Sequence, residues 1–377
     1  MFVPTVRRHG VGIPMGAQPI LLSLIAVVVA VAFWAVLSPS TVSNDAAFVP
    51  LPSAGASDMR SVAYIAPGGS SDSLIVRHLS DDGPGSVVAT FPTGFNIHAR
   101  GAASPLGDAA AVLSVSPSTI PLARLSIVDL PSGSAREAME AFDYLSPVAW
   151  AGDGSRAALR RSSLQDSAGR VAATVLEVQA DSLAVRQVAE FEGVYEVAPV
   201  GYSMDGTRLF IVVIDASGSN LWVERAGRLT RLATLTPGRT RDWALSPDGA
   251  RLAFVEVVGL GERAYRGRSL VIATGNVVDE ASTGNQLGAA WLPGSQVPQF
   301  GGPGGQVQLS DQPPGAAYVI PSQWSPDGST LVATVYSARD GGTVPSSPSI
   351  EIVTAERRLR LSNEEGAAFV GWVRDLP

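Results

Sequence analysis

Two patterns of apolar residues divide the chain. From Ile20 to Leu37 runs ILLSLIAVVVAVAFWAVL, broken only by Ser23. A helix of that composition has no polar face. Its eighteen residues, rising about 1.5 Å each, span roughly 27 Å, close to the thickness of bilayer hydrocarbon. From about residue 61 the pattern changes. Short runs rich in Val, Ile, Leu and Phe, such as SVAYIA, SLIVRHL, LSIVDL, RLFIVVI, SLVIAT and SIEIVT, alternate with clusters of Gly, Pro, Asp and Ser. These are strand lengths at turn spacing, and they continue to the C-terminus. One stretch, Ala135 to Phe142 (AREAMEAF), reads instead as an isolated helical turn.

Charge orients the apolar segment. Arg7 and Arg8 precede it, and the nearest charge after it is Asp45, so the positive-inside rule keeps the N-terminus in the cytoplasm. The expected organisation is a cytoplasmic tail (1–19), a transmembrane signal anchor (20–37), a Ser/Pro/Ala-rich linker (38–60) and an extracytoplasmic domain (61–377), single-pass in a bacterial cell membrane. The alternative is a signal peptide cleaved near Thr41-Val42-Ser43. The apolar run is longer than the usual h-region of about 7–15 residues, which favours the anchor.

Within the domain, Trp243-Ala-Leu-Ser-Pro-Asp-Gly-Ala-Arg-Leu-Ala-Phe recurs as Gln323-Trp-Ser-Pro-Asp-Gly-Ser-Thr-Leu-Val-Ala. Weaker copies start at Trp150 and Tyr202, more decayed ones at Ala103 and Trp291, and a last trace is Gly371-Trp-Val-Arg-Asp. Taking Gly107, Gly154, Gly206, Gly249, Gly294, Gly328 and Arg374 as marks, the intervals are 47, 52, 43, 45, 34 and 46 residues. A strand-only unit of about 45 residues is the size of one four-stranded propeller blade. Ser-Pro-Asp-Gly suits a type I turn, with Pro fixing φ at the second position and Gly at the fourth. Asp153 and Gly154, Asp205 and Gly206, Asp248 and Gly249, and Asp327 and Gly328 are therefore read as blade turns. Trp150, Trp243, Trp291 and Trp324 are read as packing between blades.

These units resemble the WD40-like (PD40) repeats of TolB-type β-propellers, whose hallmark is an aromatic-Ser-Pro-Asp-Gly-x-x-Leu/Ile-Ala-Phe stretch. The resemblance covers residues 61–377 and implies an all-β propeller of seven, alternatively six, four-stranded blades. The short unit from Trp291 to Gln323 is the one that decides the count. The terminal FVGWVRD is expected to complete a closing blade with SVAYIA and SLIVRHL, which removes free sheet edges. No helical N-terminal domain like that of TolB is visible in the sequence.

Composition narrows the chemistry. All 27 basic residues are Arg and there is no Cys, which excludes P-loop and Schiff-base lysines, disulfides, thiolate nucleophiles and Cys-ligated metals. A net charge of −7 argues against nucleic acid as a partner. No G-x-S-x-G, H-E-x-x-H, G-x-G-x-x-G or EF-hand pattern occurs, and no cofactor is expected. Asp81-Asp82-Gly83-Pro84-Gly85 reads as a hairpin turn before it reads as a weak cation site. The resemblance implies that the strand before each Ser-Pro-Asp-Gly is innermost, so His98, Arg100, Arg239, Arg241, Asp242 and Gln323 are the candidate funnel contacts. The expected function is a monomeric, membrane-tethered propeller that binds a protein or peptide without catalysis of its own. Cell-wall or carbohydrate binding is the alternative. A glycan-active enzyme relying on Asp242 is a further one, since glycoside hydrolysis needs paired carboxylates.

Overall fold

The computed structural model describes residues 59–81, 83–94, 97–115, 123–141, 143–259, 265–280, 286–302, 316–337, 348–354, 358–362 and 366–375. The expected cytoplasmic tail, membrane helix and nearly all of the linker lie outside them. Strands appear in chain order as β1–β3 (Ser61–Ala66, Ser71–His78, Ser86–Pro92), β4–β7 (Arg100–Ala103, Ala109–Val115, Ala123–Asp129, Ser134–Ala141) and β8–β11 (Ala149–Trp150, Arg156–Ser162, Val171–Gln179, Val185–Val194). They continue as β12–β15 (Glu196–Tyr202, Leu209–Asp215, Gly218–Arg225, Arg228–Thr236) and β16–β19 (Arg239–Leu245, Arg251–Val257, Tyr265–Val271, Asn276–Asp279). The last are β20–β21 (Leu287–Ala290, Gln299–Gly301), β22–β25 (Ala316–Trp324, Leu331–Ser337, Ser349–Val353, Arg358–Ser362) and β26 (Ala368–Val373). The described residues contain no helix.

The strands form six four-stranded antiparallel sheets, the blades of a β-propeller, and one two-stranded sheet. Of the two counts expected, six full blades is therefore the one observed. The mark at Gly294 belongs to β20–β21, the unit for which two strands are described. Ala135–Ala141 is not helical. It lies in outer strand β7, paired to β6 from Ala123↔Ala141 to Asp129↔Ser134. Pairing with a neighbouring strand overrides the helix propensity of Ala, Glu and Met.

The closing blade has the order β26-β1-β2-β3. Its C-terminal inner strand pairs with the first strand of the domain, from Ser61↔Val373 to Ile65↔Ala368, so the two ends of the domain share one sheet. Each blade buries its apolar faces against its neighbours, giving a succession of interblade clusters. In one, Ala102, Leu113 and Ile127 of β4–β6 meet Trp150, Leu159 and Leu176 of β8–β10.

The inner strands β4, β8, β12, β16, β20, β22 and β26 run in one direction. They start at what we call the far rim and end at the Ser-Pro-Asp-Gly turns. Those turns have the expected geometry. Gly249 N donates to Ser246 O at 2.8 Å, and Gly249 has φ +67°, a region glycine adopts without steric cost. Where two blades abut, indoles act as latches. Trp150 Nε1 donates to Ala102 O and Trp291 Nε1 to Ala244 O, each at 2.9 Å, on the inner strand of the preceding blade. Trp291 thus places the two-stranded sheet in the position of a blade. Close approach makes this possible: a Cβ on Gly301 would stand 1.9 Å from Val319 O of β22. Trp243 packs differently, two residues upstream of the latch position that Leu245 holds, and donates to Thr240 Oγ1.

Trp150→Phe keeps an aromatic ring but removes the donor to Ala102 O together with the volume of the indole's second ring. The variant is expected to lose about 1–3 kcal/mol in urea unfolding with an unchanged m-value.

Candidate functional site

Five of the six residues singled out in the sequence stand at the far rim. Arg100 opens β4, and His98 lies two residues before it. Arg239 opens β16, followed by Arg241 and Asp242. Gln323 is elsewhere, near the opposite end of its strand, two residues before Ser325 of the turn. β4 and β16 are separated by the inner strands β8 and β12, so His98 and Arg100 stand apart from the Arg239–Asp242 group.

The β16 group is the more organised. Arg239 stacks its guanidinium 5.2 Å from the centroid of Tyr195, and Arg241 stacks 5.7 Å from that of Tyr265. Arginine on an aromatic face contributes about 0.5–1 kcal/mol at exposed sites and orients the cation. Arg241 Nε also donates to Asp242 Oδ1 at 3.0 Å. The second oxygen, Asp242 Oδ2, accepts from Gly288 N at 2.8 Å, tying β16 to β20.

Asp242 has φ +52°, in an inner strand whose pairing with β17 shifts register between Arg241 and Ala244. A left-handed non-glycine residue costs roughly 1–2 kcal/mol. The β-bulge turns the carboxylate sideways to meet both donors, which offsets that cost. Asp242 is 8 % exposed and engaged on both oxygens, a bracing role for Arg241 and β20. Burial pushes the Tyr336 hydroxyl of β23 above its ordinary range. The Asp242 charge reinforces this and Arg241 opposes it, so the fifth blade also borders the group.

At β4 the organising residue is Asp72 of β2, which is fully buried. Its carboxylate accepts from Ala99 N at 2.6 Å, from Gly68 N at 3.1 Å and pairs with His98 Nδ1 at 3.0 Å. The chain leading into the first blade is thereby fastened to the closing blade. Asp72, Tyr195, Tyr265 and Tyr336 were not singled out in the sequence. Only Asp72 left a trace there, as a charge at an inward position of an alternating strand.

The turn carboxylates are satisfied locally. Asp248 Oδ1 accepts from Ser246 Oγ at 2.6 Å and Ala250 N at 3.0 Å, and Asp327 repeats the pattern with Ser325 and Ser329. Partial burial works against ionisation of Asp153, Asp248 and Asp327. Their hydrogen bonds outweigh it and hold all three below the usual carboxylate range. The hydroxyl of Ser203, with Thr207, brings Asp205 down to about 2. Asp82 of the Asp81–Gly85 segment lies outside the described residues. Among those described, no group of three or more His, Asp or Glu is placed to hold a metal ion.

No family model matches the chain, and no curated protein matches it in sequence. Solved structures do match its fold. TolB from Acinetobacter baumannii superposes with a TM-score of 0.52 at 14 % identity, over 83 % of this chain and 67 % of that one. The fold is that of a TolB-like β-propeller. Other matches include an acylaminoacyl peptidase from Pyrococcus horikoshii, with a TM-score of 0.56 at 13 % identity, covering 80 % of this chain and 50 % of that one. A structure from a study of two prolyl endopeptidases matches with a TM-score of 0.52 at 13 % identity, over 88 % and 55 %. The chain therefore spans about half the length of these two proteins. The matches carry the names of peptidases as well as of TolB, and the fold alone does not separate binding from catalysis.

Asp242→Ala and Asp242→Gly both remove the acceptor of Gly288 N–H, but only glycine relieves the left-handed backbone. The glycine variant is expected to be the more stable of the two by about 1 kcal/mol in denaturant unfolding. Equal stabilities would show that the backbone of Asp242 is not strained.

Proposed function

We propose that the protein is a scaffold, tethered to the membrane by residues 20–37, whose propeller binds an acidic protein or peptide segment outside the cytoplasm. The observation that carries this reading is the pair of arginines at the start of β16, each stacked on a tyrosine and one braced by Asp242. Such a rim offers fixed positive charge and flat aromatic surface to carboxylate side chains, in a chain that is otherwise net negative. Arg100 lies at the same rim on another side of the ring, so an extended segment can meet both. Asp242 is committed to Arg241 and Gly288 N, which supports a binding role for this rim over general acid–base chemistry through that carboxylate. The tether rests on the length and flanking charge of the apolar run.

Deleting residues 1–40 is expected to move the protein from the membrane to the soluble fraction with its β-sheet circular dichroism intact. Retention in the membrane would contradict the tether. By fluorescence anisotropy, the full chain is expected to bind a labelled octapeptide of alternating Asp and Ala and to ignore its Lys counterpart. Arg239→Glu with Arg241→Glu should weaken that binding about tenfold or more. Unchanged affinity in the double variant would overturn the assignment of the rim.

A further inference from the structure

Indoles latch neighbouring blades at two interfaces, and at another an indole stands in the latch position with its N–H unused. Trp150, Trp291 and Trp324 each stand immediately before the residue whose carbonyl closes a turn: Ala151, Leu292 and Ser325. Trp372 holds the same place in β26. It pairs with Val62 of β1 as Trp150 pairs with Ala157 of β9. Trp150 and Trp291 reach a carbonyl on the preceding inner strand, and Trp324 turns to Gln299 Oε1 at 2.9 Å. The corresponding acceptor for Trp372 is the main chain of Gln323 on β22. Yet Trp372 Nε1 is buried without any hydrogen-bond partner, in a side chain only 3 % exposed. Trp222 Nε1 shares that condition, but on the third strand of its blade, away from the inner strands.

Packing at this interface differs in the same sense. In the five clusters that join successive units from β4 to β22, the preceding inner strand takes part: Ala102 of β4, Ala149 of β8, Ala198 of β12, Ala244 of β16 and Ala290 of β20. The cluster between the fifth and closing blades draws on Val332, Ile350, Ile352 and Leu361 of β23–β25 against Phe369 and Trp372, and no described side chain of β22 belongs to it. On the outer side the two blades are joined by Arg77 Nη1, which donates to Arg360 O at 3.4 Å. They are thus held together at their outer strands while their inner strands lack the latch.

A buried N–H without a partner forfeits a hydrogen bond that water would have supplied, and native proteins rarely leave such a group so. We propose that the inner seam between β22 and β26 is a slot for a peptide carbonyl, in which Trp372 Nε1–H donates to the main chain of a segment lying along the channel. This rests on the peptide-binding reading above and names a further residue of the same site. An extended chain entering at the far rim covers the four residue steps from Ala368 to Trp372 in about 13 Å. Four or five residues of the partner therefore span the depth from the far rim to the slot.

The test is tryptophan-¹⁵N TROSY spectroscopy of the full chain in detergent, with indole signals assigned by single Trp→Phe changes. In the ligand-free protein, the Trp372 indole N–H is expected to exchange with deuterium about tenfold or more faster than those of Trp150 and Trp291. Equal protection would overturn the slot whatever binds elsewhere. On saturation with the Asp–Ala octapeptide, the Trp372 signal should shift downfield and its exchange slow, and Trp372→Phe should weaken the peptide severalfold. If the peptide binds the wild type and Trp372→Phe alike and leaves that signal unmoved, the slot is refuted and the rim reading stands. If no peptide binds the wild type, both fall together.

Discussion

A blade in this protein has two apolar faces and no helix among the described residues to cover either. It is stable only between two neighbours, so the ring has to close. Closure depends on the antiparallel pairing of β26 with β1, which joins the last described strand to the first within one sheet. The interblade clusters, the indole latches and the turn hydrogen bonds presuppose that pairing. It also fixes the site. With every inner strand running the same way, residues that open those strands share a rim however far apart they are in sequence.

Within the closed ring, polar groups are spent mainly on joining blades. Asp72 fastens the approach to β4, Arg160 Nη1 donates to Val197 O at 3.0 Å, and Asp242 reaches Gly288 N. Glu177 gathers Arg156, Arg186 and the Tyr202 hydroxyl between the second and third blades. Each of these is a buried or half-buried charge with partners, as burial requires. Arg156 also lies on a tyrosine face, 5.2 Å from the Tyr202 centroid, but Arg239 and Arg241 form two such stacks side by side at the start of one inner strand, which is why the proposed function centres on them. The interface beside Trp372 differs in another way: an indole is in place there without the bond that Trp150 and Trp291 make.

Much of the architecture was legible in the repeat. Ser-Pro-Asp-Gly dictates its own turn through local φ preferences and short side-chain bonds, so spacing located the blade positions and the closing blade. Spacing could not show that the unit after Trp291 forms only two described strands, because a decayed turn still marks a position in the ring. AREAMEAF misled for another reason: pairing at the edge of a sheet outweighs intrinsic propensity. At the site, rim residues could be picked out as polar positions on inner strands. The left-handed backbone of Asp242 and the buried Asp72 could not, since both depend on contacts between blades. Tyr195 and Tyr265 become stacking partners only once neighbouring strands are placed.

The central claim is that the rim at β16, and not the outer edge of the blades, meets a partner. Site-specific photo-crosslinking in intact cells tests it most directly, with benzoylphenylalanine placed at Tyr195 or, as a control, at Leu232 on outer strand β15. The account predicts one discrete protein adduct from position 195 and none from position 232. The same adduct from both positions, or one from 232 alone, would contradict it.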